Sequence, residues 1–302
     1  MSESHPSAAQ SFFRRIFISP DEPRLRAGWR LLLQTLLMIV ISIPVSLFAS
    51  LVKIGRNGEV LFSQIIELII FVSSIYIARR FLDKRSFVSL GLQISKQTLT
   101  DILAGIVITF VMMGLIYAAE VAAGWLTFEN FAWQTEPVAN VAFQTLLFFV
   151  IFIFVGWNEE LLSRGYHLQT ITSGTNIFWG MVISSSVFGL AHLGNPNATW
   201  VSAAGVFFAG IFLGYAYLRT GRLWLSIGLH IGWNFFEGVI FGFPVSGLDI
   251  YHLTRNQIQG PEIWTGGAFG PEAGLIVLPA LVIGSALIWL YTRDRNVSQE
   301  NH

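Results

Sequence analysis

Long apolar runs alternate with short polar stretches along most of the chain. A transmembrane helix needs roughly 20 mainly apolar residues to cross the hydrocarbon core of a bilayer. The pattern predicts an all-α fold, a polytopic membrane helix bundle of about eight transmembrane helices. No internal repeat is visible. The eight predicted spans are 29–52, 60–80, 98–123, 140–166, 176–194, 198–218, 223–243 and 271–292.

The order of the spans also predicts how the chain is organised. The longest stretch between spans, 244–270, is rich in glycine and is predicted to be an extramembrane loop. The other predicted parts are a cytoplasmic N-terminal arm (1–28), spans one to three (29–135), a catalytic core of spans four to seven (136–243), and the last span with a cytoplasmic tail (271–302).

Lysine and arginine residues are distributed unevenly between the two sides of the predicted bundle. If the N-terminus is cytoplasmic, fifteen of the 18 basic residues fall in cytoplasmic segments. The three on the opposite side are Lys53, Arg56 and Arg255. Basic residues accumulate on the cytoplasmic side of membrane proteins. We therefore predict a multi-pass integral membrane protein with both termini in the cytoplasm, in the cell membrane if the source is prokaryotic.

Composition supports a membrane protein and excludes several kinds of chemistry. The chain is 53% hydrophobic and only 12% charged, whereas soluble domains average about 25% charged residues. Its formal net charge is zero, which does not suggest a nucleic-acid partner. It contains no cysteine, which excludes disulfides, thiolate nucleophiles and cysteine-based metal sites.

Three ionisable residues follow an apolar run, Val141 to Trp157, that contains no charge. They are Glu159, Glu160 and Arg164. Ionisable groups within a membrane are costly and rare, so they indicate a functional site. On a helix, Glu160 and Arg164 are four positions apart and share a face, so they can form an ion pair. Glu159 lies about 100° around the helix and stays free for other chemistry.

Two later spans add polar side chains to this set. His192 lies in span five, and His230 and Asn234 lie four positions apart on one face of span seven. A bundle can bring them together with Glu159, because polar groups in lipid face the bundle interior. A glutamate suits general base catalysis on water, and imidazole and amide N–H groups suit stabilisation of an oxyanion. This constellation predicts amide hydrolysis without a covalent intermediate.

A metal-dependent chemistry stays open for the same side chains. Glu159, His192 and His230 form a His₂Glu set of the kind that binds zinc. The HExxH pattern, which would place both histidines on one helix, is absent. Any zinc site must therefore be assembled from three helices. The sequence does not separate glutamate as base from glutamate as ligand, and it predicts no other cofactor.

Three motifs occur in order on the predicted spans: Glu-Glu-x-x-x-Arg (159–164), Phe-x-x-x-His (188–192) and His-x-x-x-Asn (230–234). In this order they resemble the CPBP intramembrane proteases, or CAAX amino terminal proteases. That family includes CAAX prenyl endopeptidases and bacterial relatives linked to bacteriocin self-immunity. The resemblance covers about residues 140–240. It implies an endopeptidase whose partners are the lipid bilayer and a peptide or membrane-protein substrate, such as a prenylated C-terminus.

The resemblance also implies a role for each motif residue. By this resemblance, Glu159 activates a water molecule with the help of His192. Glu160 and Arg164 hold the site together, and His230 and Asn234 form the oxyanion hole. The family was first described as metalloproteases. A glutamate-activated water without a required metal fits these residues at least as well.

Two other classes of function stay open. A transporter could use intramembrane carboxylates and histidines as a proton relay, although no inverted repeat is evident. A catalytically idle scaffold or immunity protein could keep the motifs for stability, with Glu160 and Arg164 as an ion pair near the membrane surface. Substitution of Glu159 by Gln separates these classes, because only an enzyme loses peptidase activity while keeping its fold.

The predicted depths of Glu159 and His192 in the membrane argue against a shared site. If span four ends near residue 166, Glu159 lies towards its cytoplasmic end. His192 lies about 24 Å into span five from the same side. Upright helices would then separate the two side chains in depth by about 10 Å or more. A tilted or late-starting span five would remove this difference.

Overall fold

The structure is a computed structural model that describes residues 8–295. The ends of the predicted arm and tail, 1–7 and 296–302, lie outside the described residues. The α-helices and strands, in chain order, are α1 (Ala8–Phe17), α2 (Ala27–Ser50), α3 (Arg56–Ile77), α4 (Gln97–Ala122), β1 (Leu126–Phe131), α5 (Val138–Glu160), α6 (Gln169–Gly174), α7 (Ile177–Ala191), α8 (Trp200–Thr220), α9 (Trp224–Asn234), β2 (Thr254–Ile258), α10 (Glu262–Thr265) and α11 (Val277–Thr292).

Three of these helices continue directly into π-helix, and five short 3₁₀ segments occur elsewhere. The π-helical segments are Ala78–Leu82 after α3, Leu161–Leu168 between α5 and α6, and Phe235–Ile240 after α9. The 3₁₀ segments are Phe87–Leu90, Ala132–Gln134, His192–Gly194, Gly267–Phe269 and Pro271–Ala273.

Helices long and apolar enough to cross a membrane dominate the described part of the chain. By length and composition there are six, which are Ala27–Ser50, Gly58–Leu82, Gln97–Ala122, Val138–Gly174, Ile177–Gly194 and Trp200–Thr220. The prediction of an all-α membrane bundle is confirmed. The number eight is not, because α9 and α11 are helical but shorter than the predicted spans seven and eight.

The fourth helix is longer than the pattern predicts. It was expected to end at residue 166, but it is continuous from Val138 to Gly174. Leu161, Tyr166 and Leu168 are almost completely buried. Tertiary packing therefore stabilises the helical conformation in a stretch whose polar residues had indicated the end of the span. This correction changes the depth at which the site lies.

The predicted loop 244–270 contains regular structure that the all-α prediction missed. Its strand β2 pairs antiparallel with β1, from Leu126 opposite Ile258 to Phe131 opposite Thr254. The strands are separated by more than a hundred residues in sequence. No local pattern of apolar residues predicts such a pairing, because each strand is only five or six residues long.

Helix α9 lies at the centre of the bundle and is buried from Leu225 to Asn234. Its glycines permit close contact with neighbouring helices. A Cβ on Gly228 would lie 2.3 Å from the carbonyl oxygen of Ile102 in α4. A Cβ on Gly156 of α5 would lie 2.9 Å from the Ile231 side chain in α9. Small residues therefore let α4 and α5 approach the helix that contains His230.

Candidate active site

The adjacent carboxylates at the end of α5 occupy different environments. The Glu159 side chain is 30% exposed, whereas that of Glu160 is fully buried. Neighbouring positions on a helix point about 100° apart, so one carboxylate can face a cavity while the other faces protein. This difference agrees with the expectation that only one of the two is available for chemistry.

Glu160 is held by the predicted ion pair. Its Oε1 accepts a hydrogen bond of 2.7 Å from Nη1 of Arg164, which is itself buried. The other terminal nitrogen of Arg164 donates to the carbonyl oxygen of Gly210 at 3.0 Å. The guanidinium also lies over the Phe188 ring, 4.3 Å from its centroid. The pair therefore ties α5, α7 and α8 together inside the bundle and is not an ion pair at the surface.

His192 follows directly after α7, and its orientation is set by one turn of that helix. Its Nδ1 lies 2.8 Å from the carbonyl oxygen of Phe188. A carbonyl oxygen only accepts, so Nδ1 carries the proton and Nε2 faces away from the helix. That Nε2 lies 3.9 Å from Oε2 of Glu159. The Phe188 ring contacts His192 edge to face, with 4.8 Å between the ring centroids, and so helps to orient the imidazole.

His230 is oriented in a similar way from α9. Its Nδ1 lies 2.8 Å from Oε1 of Glu160, and its Nε2 lies 3.7 Å from Oε2 of Glu159. Both imidazoles therefore direct Nε2 to the same carboxylate oxygen. Separations of 3.7 and 3.9 Å are too long for direct hydrogen bonds. A water molecule between the groups could bridge contacts of this length.

The expected difference in depth between Glu159 and His192 is wrong. Glu159 stands fifteen residues before the end of its helix at Gly174, and His192 stands fifteen residues after the start of α7 at Ile177. The two helices are joined by a two-residue turn and run in opposite directions. Both side chains therefore lie about 22 Å from that turn. The greater length of the fourth helix removes the difference, and no tilt of α7 is needed.

Glu159 and its partners line a cavity of about 290 Å³. Asn234, one turn after His230, also lines it. Asn234 is only 6% exposed, and among residues 8–295 its side chain makes no hydrogen bond. An amide in this position is free to bind a ligand in the cavity. The structure thus brings Glu159, His192, His230 and Asn234 to one space, with Glu160 and Arg164 behind them.

The cavity contains polar residues that the sequence analysis did not identify as part of the site. They are Gln64, Glu67, Asn195, Ser246 and Glu272. Glu67 was noticeable as an ionisable residue in an apolar span. Glu272, at the edge of the last predicted span, had no comparable signal. Glu237 shares a helix face with His230 but lies outside the cavity lining, and its side chain is fully buried.

The candidate zinc ligands have donor atoms of the kind that zinc binds, but the distances between them do not suit a metal site. Neutral imidazoles protonated at Nδ1 present Nε2 lone pairs, and their second nitrogens are held as in metal-binding histidines. Among the described residues, however, no group of three or more His, Asp or Glu side chains is close enough to hold a metal ion.

Two of the helices that contribute the central residues, α5 and α9, change to π-helix directly after them. The π-helix Leu161–Leu168 begins one residue after Glu160, and Phe235–Ile240 begins one residue after Asn234. A π-helical turn inserts an extra residue and is frequent at functional sites. Periodicity calculated for an α-helix does not anticipate this change.

Comparisons with known proteins show what the segment that contains the site is similar to. Residues 141–236 match the family model described as Type II CAAX prenyl endopeptidase Rce1-like. The chain is 22% identical to "Uncharacterized protein YyaK" of Bacillus subtilis (strain 168) over 237 residues, 76% of this chain and 74% of YyaK. It is 27% identical to "Putative membrane peptidase YdiL" of the same organism over 126 residues, 41% of this chain and 50% of YdiL. The similarity to CAAX prenyl endopeptidases is thereby confirmed over the segment that contains the candidate site, and it supports a multi-pass membrane hydrolase of the protease class.

Proposed function

We propose that this protein is an intramembrane endopeptidase that hydrolyses a peptide bond with a water molecule activated by Glu159. The observation that supports it most directly is the convergence of His192 Nε2 and His230 Nε2 on Glu159 Oε2, at 3.9 and 3.7 Å. The cavity beside these atoms provides space for a substrate carbonyl group. The match to a prenyl endopeptidase family covers the same residues.

The reaction requires only a base, a donor and water. Glu159 accepts a proton from water, and the oxygen of that water bonds to the scissile carbonyl carbon. His192 accepts a hydrogen bond from the water through its unprotonated Nε2 and so orients it. When the C–N bond breaks, Glu159 returns the proton to the leaving nitrogen. The products are a carboxyl group and an amine, and Glu159 is regenerated as a carboxylate.

Stabilisation of the oxyanion falls to His230 and Asn234. The amide of Asn234 can donate directly, since it has no other partner among the described residues. His230 already donates from Nδ1 to Glu160. It can donate from Nε2 only as an imidazolium, whereas a metal site would require its neutral form. The protonation state of His230 therefore distinguishes the two mechanisms.

The family match supports two substrate classes for this proposal. A CAAX-type substrate would be a prenylated C-terminus that reaches the cavity from the membrane or the cytoplasmic side, and a small membrane peptide is the second class. Both termini of the enzyme are expected in the cytoplasm. A transporter or an idle scaffold would not require a carboxylate oxygen that lies 3.7 and 3.9 Å from the Nε2 atoms of two imidazoles.

The test is peptidase activity of purified protein in detergent on a fluorogenic peptide panel, prenylated and unprenylated. Glu159→Gln is compared with wild type and with Glu129→Gln, which removes the same charge from an exposed position on β1. We expect cleavage by wild type and the control, and a loss of about 10²–10⁴-fold in Glu159→Gln without loss of fold. Cleavage that survives a tight zinc chelator supports the glutamate-activated water.

Three results would contradict the proposal. Loss of wild-type cleavage on chelation would replace the water mechanism by a metal-dependent one. Equal cleavage by wild type and Glu159→Gln would exclude Glu159 as the base. No cleavage of any peptide by either would favour the scaffold or the transporter. A pull-down for partners and a proton-flux assay in liposomes would then separate those two.

A further inference from the structure

The cavity beside Glu159 contains an excess of acidic groups. Among the residues that the structure describes, three glutamates line it, which are Glu67, Glu159 and Glu272, and no lysine or arginine does. The nearby Arg164 does not compensate them, because its charge is already paired with Glu160. When the three glutamates are ionised, the balance stays negative in either state of the histidines. With both imidazoles neutral, three carboxylates are uncompensated, and with both protonated one still is.

Glu272 is held in a fixed orientation at the cavity wall. It lies in the short turn before α11 and is 6% exposed. Its Oε1 accepts a hydrogen bond of 3.0 Å from the indole N–H of Trp233, and its Oε2 accepts one from the hydroxyl of Ser246. Among residues 8–295 it forms no ion pair within 4.0 Å. Three elements thus position a carboxylate that lacks a counter-charge.

Glu67 provides a second carboxylate of this kind from a different helix. It lies in α3, which packs against α5, and it is partly exposed to the cavity. Within the described residues it also has no basic partner. An uncompensated carboxylate in an apolar environment is costly, and a cation of suitable size relieves that cost. The amide of Asn234, 94% buried without a partner and facing the same space, independently indicates that a polar ligand enters here.

We propose that this cavity recognises a cationic group of the substrate, a lysine or arginine side chain near the scissile bond, through Glu67 and Glu272. The inference rests on the proposed peptidase function and adds the chemistry of the substrate. A volume of about 290 Å³ accommodates one long side chain beside the backbone that is cleaved. Glu159 remains available as the base, because two further carboxylates pair with the cation.

The experiment compares peptides that differ in charge but little in shape. A fluorogenic panel carries lysine at each position in turn from three residues before to three after the scissile bond. Nε-acetyl-lysine at the same position is the matched uncharged peptide. For wild type we expect kcat/KM for lysine to exceed that for acetyl-lysine by about tenfold or more at one position. In Glu67→Gln and Glu272→Gln this ratio falls towards one, while in Glu129→Gln it stays at the wild-type value.

The outcomes separate this inference from the proposed function. Cleavage with equal kcat/KM for lysine and acetyl-lysine at every position overturns the inference and leaves the peptidase function intact. If wild type cleaves no peptide, the peptidase function fails, and binding of the same fluorescent peptides decides the inference. Tighter binding of a lysine peptide that is lost in Glu272→Gln supports it, and equal affinities overturn it. Size-exclusion profiles and thermal midpoints establish that each variant is folded.

Discussion

The ion pair between Arg164 and Glu160 makes a strong and specific prediction about stability. Arg164→Met removes a guanidinium that is 2% exposed and pairs with a carboxylate that is 0% exposed. It also removes the hydrogen bond to Gly210 and the contact over the Phe188 ring. Breaking a buried ion pair by removing one partner costs about 3–5 kcal/mol. At about 2–4 °C per kcal/mol, the thermal midpoint should fall by roughly 6–20 °C.

A double substitution tests whether the uncompensated charge causes this loss. In Glu160→Leu/Arg164→Met neither charge remains, and replacement of a buried pair by apolar side chains is often neutral. The double variant should therefore be more stable than Arg164→Met. Its peptidase activity should not recover, because His230 has lost the carboxylate that accepts from its Nδ1.

The assay is thermal unfolding in detergent, followed by tryptophan fluorescence, with peptide cleavage measured on the same samples. Arg80→Met is the matched control, since Arg80 is exposed and the change should alter stability by less than about 0.5 kcal/mol. The reasoning is refuted if Arg164→Met unfolds within about 2 °C of wild type. A double variant less stable than Arg164→Met would also refute it.

Two further predictions concern the packing of α9 and the oxyanion hole. Gly228→Ala places a methyl group 2.3 Å from the carbonyl oxygen of Ile102, so it should cost about 1–3 kcal/mol in thermal unfolding. Gly28→Ala, where no atom lies within 4 Å, should cost nothing, and equal midpoints for the two would contradict the observed helix contact. Asn234→Ala should lower kcat by about 10²–10³-fold with little change in stability, because the side chain has no partner in the described structure. Unchanged cleavage by that variant would remove Asn234 from the proposed oxyanion hole.

Local spacing in the sequence was sufficient for the contacts that a single helix determines. Glu160 and Arg164 pair because positions four apart share a helix face. His192 bonds to the Phe188 carbonyl for the same geometric reason. Such contacts depend only on helical periodicity, which the residues themselves encode.

The depth of the site could not be determined in the same way. The polar residues after Glu160 indicate the end of a membrane span when the chain is considered alone. In the folded protein the same residues are buried, and the helix continues to Gly174. Whether a polar stretch ends a helix depends on whether other helices cover it, and that coverage comes from distant parts of the chain.

The sequence by itself determined the class of fold, the order of the motifs and the identity of the six candidate residues. These follow from apolar run lengths and from side-chain chemistry at fixed helical spacing. Only the tertiary structure decided that both imidazoles direct Nε2 at Glu159, and that Glu67 and Glu272 join the same cavity. The physical reason is that these contacts involve residues from five elements that are distant in sequence. Their geometry depends on helix length, on the π-helical segments and on the packing of α9, none of which is a property of any one segment.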